Sequence, residues 1–319
     1  MRRGWKIAVA IVVVLAVLVA VNTVIVDHQT KGASVTVEGG RILQVPGGGE
    51  LQITDTGPTQ KGARGAPIVL LHCFGCSLHW WDKMVPLLER RHRVIRIDLL
   101  GFGGSEKPSD GYSMENQGRL VALALGRLDI QGAVVVGHSM GFDVATALAK
   151  ESSELVDRLV NIDEQSDPSY GDLPFLAKLG FVPVLGETIW RVTPDFAIRD
   201  GYESAFAPGY DLGEFGDQVV DDFRAMTYTS YDSPDLDDYE NEQPLSQRVQ
   251  AAAIPLLVIF GAEDQFYDDP IEAAQAYASV QGARIEMIQG AGHSPNVEKP
   301  DKTARLILDF AAGVGGGRL

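Results

Sequence analysis

Six short apolar runs, at residues 68–71, 94–97, 133–136, 159–162, 256–260 and 284–288, alternate along this chain with longer stretches of helical periodicity. Runs this short and this rich in Val, Ile and Leu suit strands covered on both faces, as a parallel sheet flanked by helices requires. The intervening helical patterns fall at residues 80–89, 114–128, 140–150, 271–279 and 299–310 and supply the crossovers. Ahead of them, residues 41–45 and 51–54 read as antiparallel strands joined by a turn at 46–49. The expected fold is therefore α/β, a mostly parallel central sheet between helices. The alternation stops near residue 165 and resumes near 250. Compact domains rarely carry an unstructured loop of that length. Residues 165–249 are thus expected to form a mainly helical insertion, or cap, over a core made of 31–164 and 250–319.

The first 30 residues obey a different rule. Residues 7–26 are an almost unbroken series of Val, Ile, Leu and Ala, preceded by Arg2, Arg3 and Lys6. About 20 residues at a rise of about 1.5 Å cross the ~30 Å hydrocarbon core of a bilayer. The basic residues ahead of the run place the amino terminus in the cytoplasm and the remainder of the chain outside it. A cleaved signal peptide is the competing reading. The apolar run exceeds the usual length for one, and no Ala-x-Ala precedes Asp27. The expectation is a retained single-pass anchor, residues 1–30, with an extracytoplasmic domain.

A net charge of -16 opposes binding to nucleic acid, which carries the same sign. Part of the excess lies in an acidic run at Asp235, Asp237, Asp238, Glu240 and Glu242, read as a solvated loop face because the turn spacing of a calcium loop is missing.

The chemistry concentrates at Gly137-His138-Ser139-Met140-Gly141. In a chain with 35 glycines a G-x-S-x-G proves little alone. Its position, directly after a buried strand and directly before a helix, gives it meaning. A sharp strand-to-helix turn holds the serine in strained geometry, lifts its hydroxyl above the sheet, and tolerates only small residues two positions either side. Ser139 is the expected nucleophile, and the Met140 amide points toward a developing oxyanion.

A serine hydroxyl needs a base, which histidine supplies near neutral pH. Of six histidines, His293 alone sits in a loop right after the last strand, Gly290-Ala291-Gly292-His293-Ser294-Pro295, at the same sheet edge as Ser139. Asp264, at the end of the preceding strand, is the expected carboxylate partner, with Glu263, Asp268, Asp163 and Glu164 as rivals. A second oxyanion donor is assigned to the backbone N–H of Phe74, in the loop His72-Cys73-Phe74-Gly75-Cys76-Ser77.

Over residues 40–312 the sequence resembles the α/β-hydrolase superfamily, in its group of lid-bearing esterases, C–C bond hydrolases, cofactor-free haloperoxidases and epoxide-hydrolase relatives. The resemblance rests on His72 to Gly75, on Asp98-Leu99-Leu100-Gly101-Phe102-Gly103-Gly104-Ser105-Glu106-Lys107-Pro108, on the serine turn, and on Gly292-His293 followed by Glu298 and Pro300. It implies Ser139 as nucleophile, Asp264 as acid, His293 as base, the Phe74 and Met140 amides as oxyanion hole, and a structural role for Asp98. Epoxide hydrolases and haloalkane dehalogenases carry aspartate at the nucleophile position, so Ser139 argues against both. The departure is Cys73, where the family usually has glycine. Cys73 and Cys76, the only cysteines, are open to three readings: packed thiols, a short disulfide, or, with His72 and His79, metal ligands. The oxyanion role already explains the segment, so neither metal nor organic cofactor is expected.

Roughly half of the aromatic residues lie between Tyr170 and Tyr239, among them Phe175, Phe181, Trp190, Phe196 and Phe206. They suit either an apolar acyl or alcohol pocket or the insertion's own core. The expected activity is hydrolysis of a small or apolar carboxylic ester. C–C bond hydrolysis of a diketone-like substrate, a haloperoxidase or perhydrolase activity, and a silent surface binding module are the alternatives. Oligomeric state is left open.

Overall fold

The computed structural model describes residues 2–166, 185–232 and 243–313. The amino-terminal helix α1 (Arg2–Thr30) is followed by an eight-stranded sheet. Its strands are β1 (Arg41–Val45), β2 (Gly49–Thr56), β3 (Ile68–Leu71), β4 (Val94–Ile97), β5 (Ala133–His138), β6 (Val156–Ile162), β7 (Leu256–Gly261) and β8 (Arg284–Ile288). Their order is β1-β2-β4-β3-β5-β6-β7-β8. β1 and β2 run antiparallel and all pairings from β4 to β8 are parallel. All eight expected strands are present. β5 shows why the apolar runs are so legible: Ala133, Val134, Val135 and Val136 are wholly buried, and helices cover both faces.

The crossovers are α2 (Val85–Leu88), α3 (Met114–Arg127) and α4 (Met140–Glu151). Ser113 starts α3 by accepting from the Asn116 amide. One expected helix, at 80–89, is broken: a 3-10 turn over Leu78–Trp81 is separated from α2, whose second residue is Pro86. Proline has no N–H to donate, so a helix begun at Trp80 cannot run through it. The helix expected at 271–279 likewise divides into an α-helix at Pro270–Gln275 and a 3-10 turn at Ala276–Ser279.

Between β6 and β7 the described residues are helical: α5 (Leu185–Val192), α6 (Asp195–Tyr202), α7 (Phe215–Ala225), α8 (Tyr228–Tyr231) and α9 (Leu245–Ala252). The last spans position 250 and packs on α4, with Arg248 Nη1 3.2 Å from Asp143 Oδ1. Trp190 and Phe206 are buried in aromatic packing, whereas Phe196 is exposed. Phe175, Phe181 and the acidic run at 235–242 lie outside the described residues. The chain closes with α10 (Pro270–Gln275), α11 (Pro295–Glu298) and α12 (Pro300–Ala311).

Among the described residues α1 is the one helix long and apolar enough to cross a membrane. Its window Gly4–Val21 has a mean hydropathy of 2.7, and none of that window is buried.

Candidate active site

Parallel strands carry their following loops to a common edge, and the selected residues converge there. Ser139 lies between β5 and α4 with φ 51° and ψ -129°, a left-handed conformation that costs energy in a non-glycine residue. Its amide donates to the Ile162 carbonyl at 2.8 Å, and its own carbonyl accepts from Phe142 at 2.7 Å. The turn is as tight as the flanking glycines suggest. A Cβ on Gly137 would stand 2.3 Å from the Phe142 nitrogen, and one on Gly141 would stand 2.3 Å from the Leu71 carbonyl oxygen.

His293 follows β8 and is buried, as is Asp264. The imidazole Nδ1–H donates to Asp264 Oδ2 at 2.7 Å, which leaves Nε2 with its lone pair. The other carboxylate oxygen accepts from the Phe266 amide at 2.8 Å, and the Phe266 ring packs edge-on against the imidazole at 4.6 Å. Of the rival carboxylates, Asp163 lies behind Asp264, and ligand-type atoms of Asp163, Asp264 and His293 are all within 4.8 Å of one another. Asp163 Oδ1 accepts from the Gly261 amide at 2.9 Å. Burial, and then the negative charge of Asp264, push the Asp163 carboxyl well above the usual range. The Glu164 carboxyl is buried near Asp143 and Ser139. Burial and the charge of Asp143 raise its pKa well above normal, while a hydrogen bond with the Ser139 side chain opposes the shift.

Two further residues hold the histidine loop. His138 Nε2–H donates to the His293 carbonyl at 2.7 Å, tying that loop to the serine turn. Burial, followed by repulsion from His293, holds the His138 imidazole well below its normal pKa. Glu298 accepts from the Gly292 amide at 2.8 Å and from the Ala207 amide at 2.9 Å. The sequence placed Glu298 in a motif and gave no sign of this bond. For His138 the signal was its place inside the pentapeptide, where x is unrestricted.

The loop after β3 holds Phe74. Among the described residues the backbone N–H groups of Phe74 and Met140 meet no acceptor. The loop is fixed at several points. Cys73 and Cys76 are joined in a disulfide, which decides among their three readings. The Leu99 amide donates to His72 Nε2 at 2.9 Å, so the ring proton sits on Nδ1 and donates to the Cys73 carbonyl at 2.7 Å. The Tyr202 hydroxyl, from α6, donates to the Gly75 carbonyl at 2.7 Å. Asp98 accepts from Leu78, Gln52 and Gly104 and has the expected structural place.

The sequence profile of the Alpha/beta hydrolase family matches residues 68–306, three-quarters of the chain. The chain belongs to the alpha/beta hydrolase family. Among its relatives is the 2-hydroxymuconate semialdehyde hydrolase of Pseudomonas putida, 30% identical over 70% of this chain and 78% of that protein. An uncharacterized protein of Mycobacterium tuberculosis is 27% identical over 77% of this chain and 75% of its own length. In fold, this alpha/beta hydrolase is similar to a thermophilic esterase from Thermogutta terrifontis, with a TM-score of 0.72, 23% identity, and coverage of 86% of this chain and 98% of the other. The chain is thus a hydrolase.

Proposed function

We propose that this alpha/beta hydrolase cleaves carboxylic esters through an acyl-enzyme, on the outer side of a membrane to which α1 anchors it. The observation that carries the reading is the 2.7 Å bond from His293 Nδ1 to Asp264, beside a serine held at positive φ. That bond fixes the tautomer whose Nε2 accepts a proton. Ser139 attacks the ester carbonyl as His293 takes its proton. The tetrahedral oxyanion receives the amides of Phe74 and Met140, and collapse expels the alcohol, to which His293 returns the proton. Water then repeats the sequence on the acyl-enzyme. The helical segment between β6 and β7 acts as a cap over this edge.

C–C bond hydrolysis is the second reading, favoured by the named activity of the P. putida relative. A chromogenic ester panel of graded acyl length, run beside diketones on wild type and Ser139→Ala, tests both. Ester turnover that disappears in Ser139→Ala is expected; turnover that survives it rejects the mechanism. Fluorophosphonate labelling of Ser139 separates either enzyme from a silent binding module.

A further inference from the structure

The segment that joins α1 to the sheet is fastened to the core. The Lys107 amide donates to the Lys31 carbonyl at 2.8 Å, and the Ser34 amide donates to the Gly104 carbonyl at 2.8 Å. Gln52 and Thr36 then bond side chain to side chain at 2.7 Å. Gly104 and Lys107 belong to the loop that follows β4. β4 is parallel to β3 and hence to β5, so this loop lies at the edge that bears Ser139, Asp264 and His293. The anchor leaves the molecule from the site-bearing edge. It also comes within 8 Å of α5, Cα to Cα.

On α5 and at the start of α6 apolar side chains reach the surface. Ile189 and Val192, three apart on α5, are 36% and 64% exposed, and Phe196, in the first turn of α6, is 69% exposed, while Trp190 and Ile198 are buried. Asp195 pairs with Arg224 at 2.7 Å and the Arg191 guanidinium lies over the Trp190 ring, while Asp200, one turn beyond Phe196, is exposed. A soluble surface gains nothing from such a face, whereas an interfacial one buries it. The net charge of -16 disfavours an anionic surface.

We propose that Ile189, Val192 and Phe196 are seated in the interface of a zwitterionic phospholipid bilayer, with the site-bearing edge against the membrane. The esters the site meets are then amphiphiles resident in the bilayer. The inference rests on α1 being a retained anchor and on the ester reading.

With Cys73 and Cys76 joined, the chain has no free thiol. Val14→Cys, Val192→Cys, Phe196→Cys and Gln281→Cys therefore each accept a single environment-sensitive fluorophore. Gln281 precedes β8, at the opposite sheet edge. The labelled full chains are placed in phosphatidylcholine nanodiscs with or without acyl-brominated lipid. Quenching at 14, 192 and 196, none at 281, and no change at high salt are expected. Quenching at 14 without quenching at 192 and 196 overturns the docking and leaves the anchor standing. No quenching at 14 removes the anchor and the docking with it. In Val192→Asp/Phe196→Asp, turnover of a short soluble ester should be unchanged. Turnover of a long-chain ester held in the nanodisc should fall at least about tenfold, the factor that one buried apolar side chain contributes to partitioning. Equal rates on the nanodisc ester would overturn the substrate assignment.

Discussion

The two halves of the candidate site are held by different parts of the molecule. The histidine loop is bound mainly from within the core: Asp264 follows β7, His138 ends β5, and both bond directly to His293. The oxyanion loop shares its support with the inserted helices. Tyr202 of α6 bonds the Gly75 carbonyl, and Trp80, just beyond that loop, donates to Asp222 of α7 at 2.8 Å. Aromatic packing continues the link, with Phe74 5.8 Å from Tyr231 and Tyr231 6.1 Å from Phe223. The proposed proton-transfer geometry thus depends mainly on the sheet, while the proposed oxyanion geometry also depends on where the helical segment sits. Glu298, bonded to Gly292 and Ala207, joins the histidine loop to the inserted segment, and Gln265, beside Asp264, does the same by donating to the Phe206 carbonyl at 2.7 Å.

The hardest break in the core half is Asp264→Asn. An amide in place of the carboxylate can leave the bond to His293 with the wrong proton on each ring nitrogen, and kcat for a soluble ester should fall about 10⁴-fold with little change in fold. Steady-state kinetics beside circular dichroism check it; a loss under tenfold would mean that Asp264 is not the orienting acid. Next is His138→Phe, which keeps an aromatic ring against Trp80 and removes the donor to the His293 carbonyl. Displacing the base loop by a fraction of an ångström to an ångström should cost about 10–100-fold in kcat. In the other half, Tyr202→Phe removes one hydrogen bond to the oxyanion loop. The loss is about 1 kcal/mol, so kcat should fall by less than about tenfold while the shape of its pH profile is retained. A shifted pH profile in Tyr202→Phe would mean that the two halves are not separately supported.

The same division decides what the sequence could tell. The strands were legible because short apolar runs such as Val134-Val135-Val136, recurring between helical patterns, suit burial on both faces of a sheet. Ser139, Asp264 and His293 were legible because each follows such a run, and parallel strands bring those ends together. What could not be read depends on contacts between distant segments. Asp163 and Glu164 are rivals for one role in the sequence, yet Asp163 accepts from the Gly261 amide beside Asp264, whereas the Glu164 carboxyl is buried near Asp143 and Ser139. The bond from Tyr202 to Gly75 joins residues 127 positions apart and has no local signature. The broken helix at Pro86 was a local matter and could have been read from that residue alone.

The smallest effect on turnover is expected at Asp222, where the link between the two halves depends on pH. Its carboxyl is buried on α7, accepts from Trp80 and Gln218 at 2.8 Å each, and is pushed up to about 7, chiefly by burial. The ordinary value is 3.8, so the folded state binds this proton more tightly than the unfolded state. The resulting stability is complete below about 4 and is lost as pH rises through about 7. Between pH 5 and pH 8 the loss is on the order of 2 kcal/mol. Asp222→Asn cannot ionise and loses that slope, at the cost of one acceptor, about 1 kcal/mol. Denaturant unfolding of the full chain in detergent should therefore show wild type losing stability between pH 5 and pH 8 while Asp222→Asn does not, the two crossing only below pH 5, where wild type becomes the more stable. Parallel pH slopes would mean that Asp222 is charged in the fold throughout this range, and the Trp80 contact would then be an ordinary charge-assisted bond rather than a proton-dependent one.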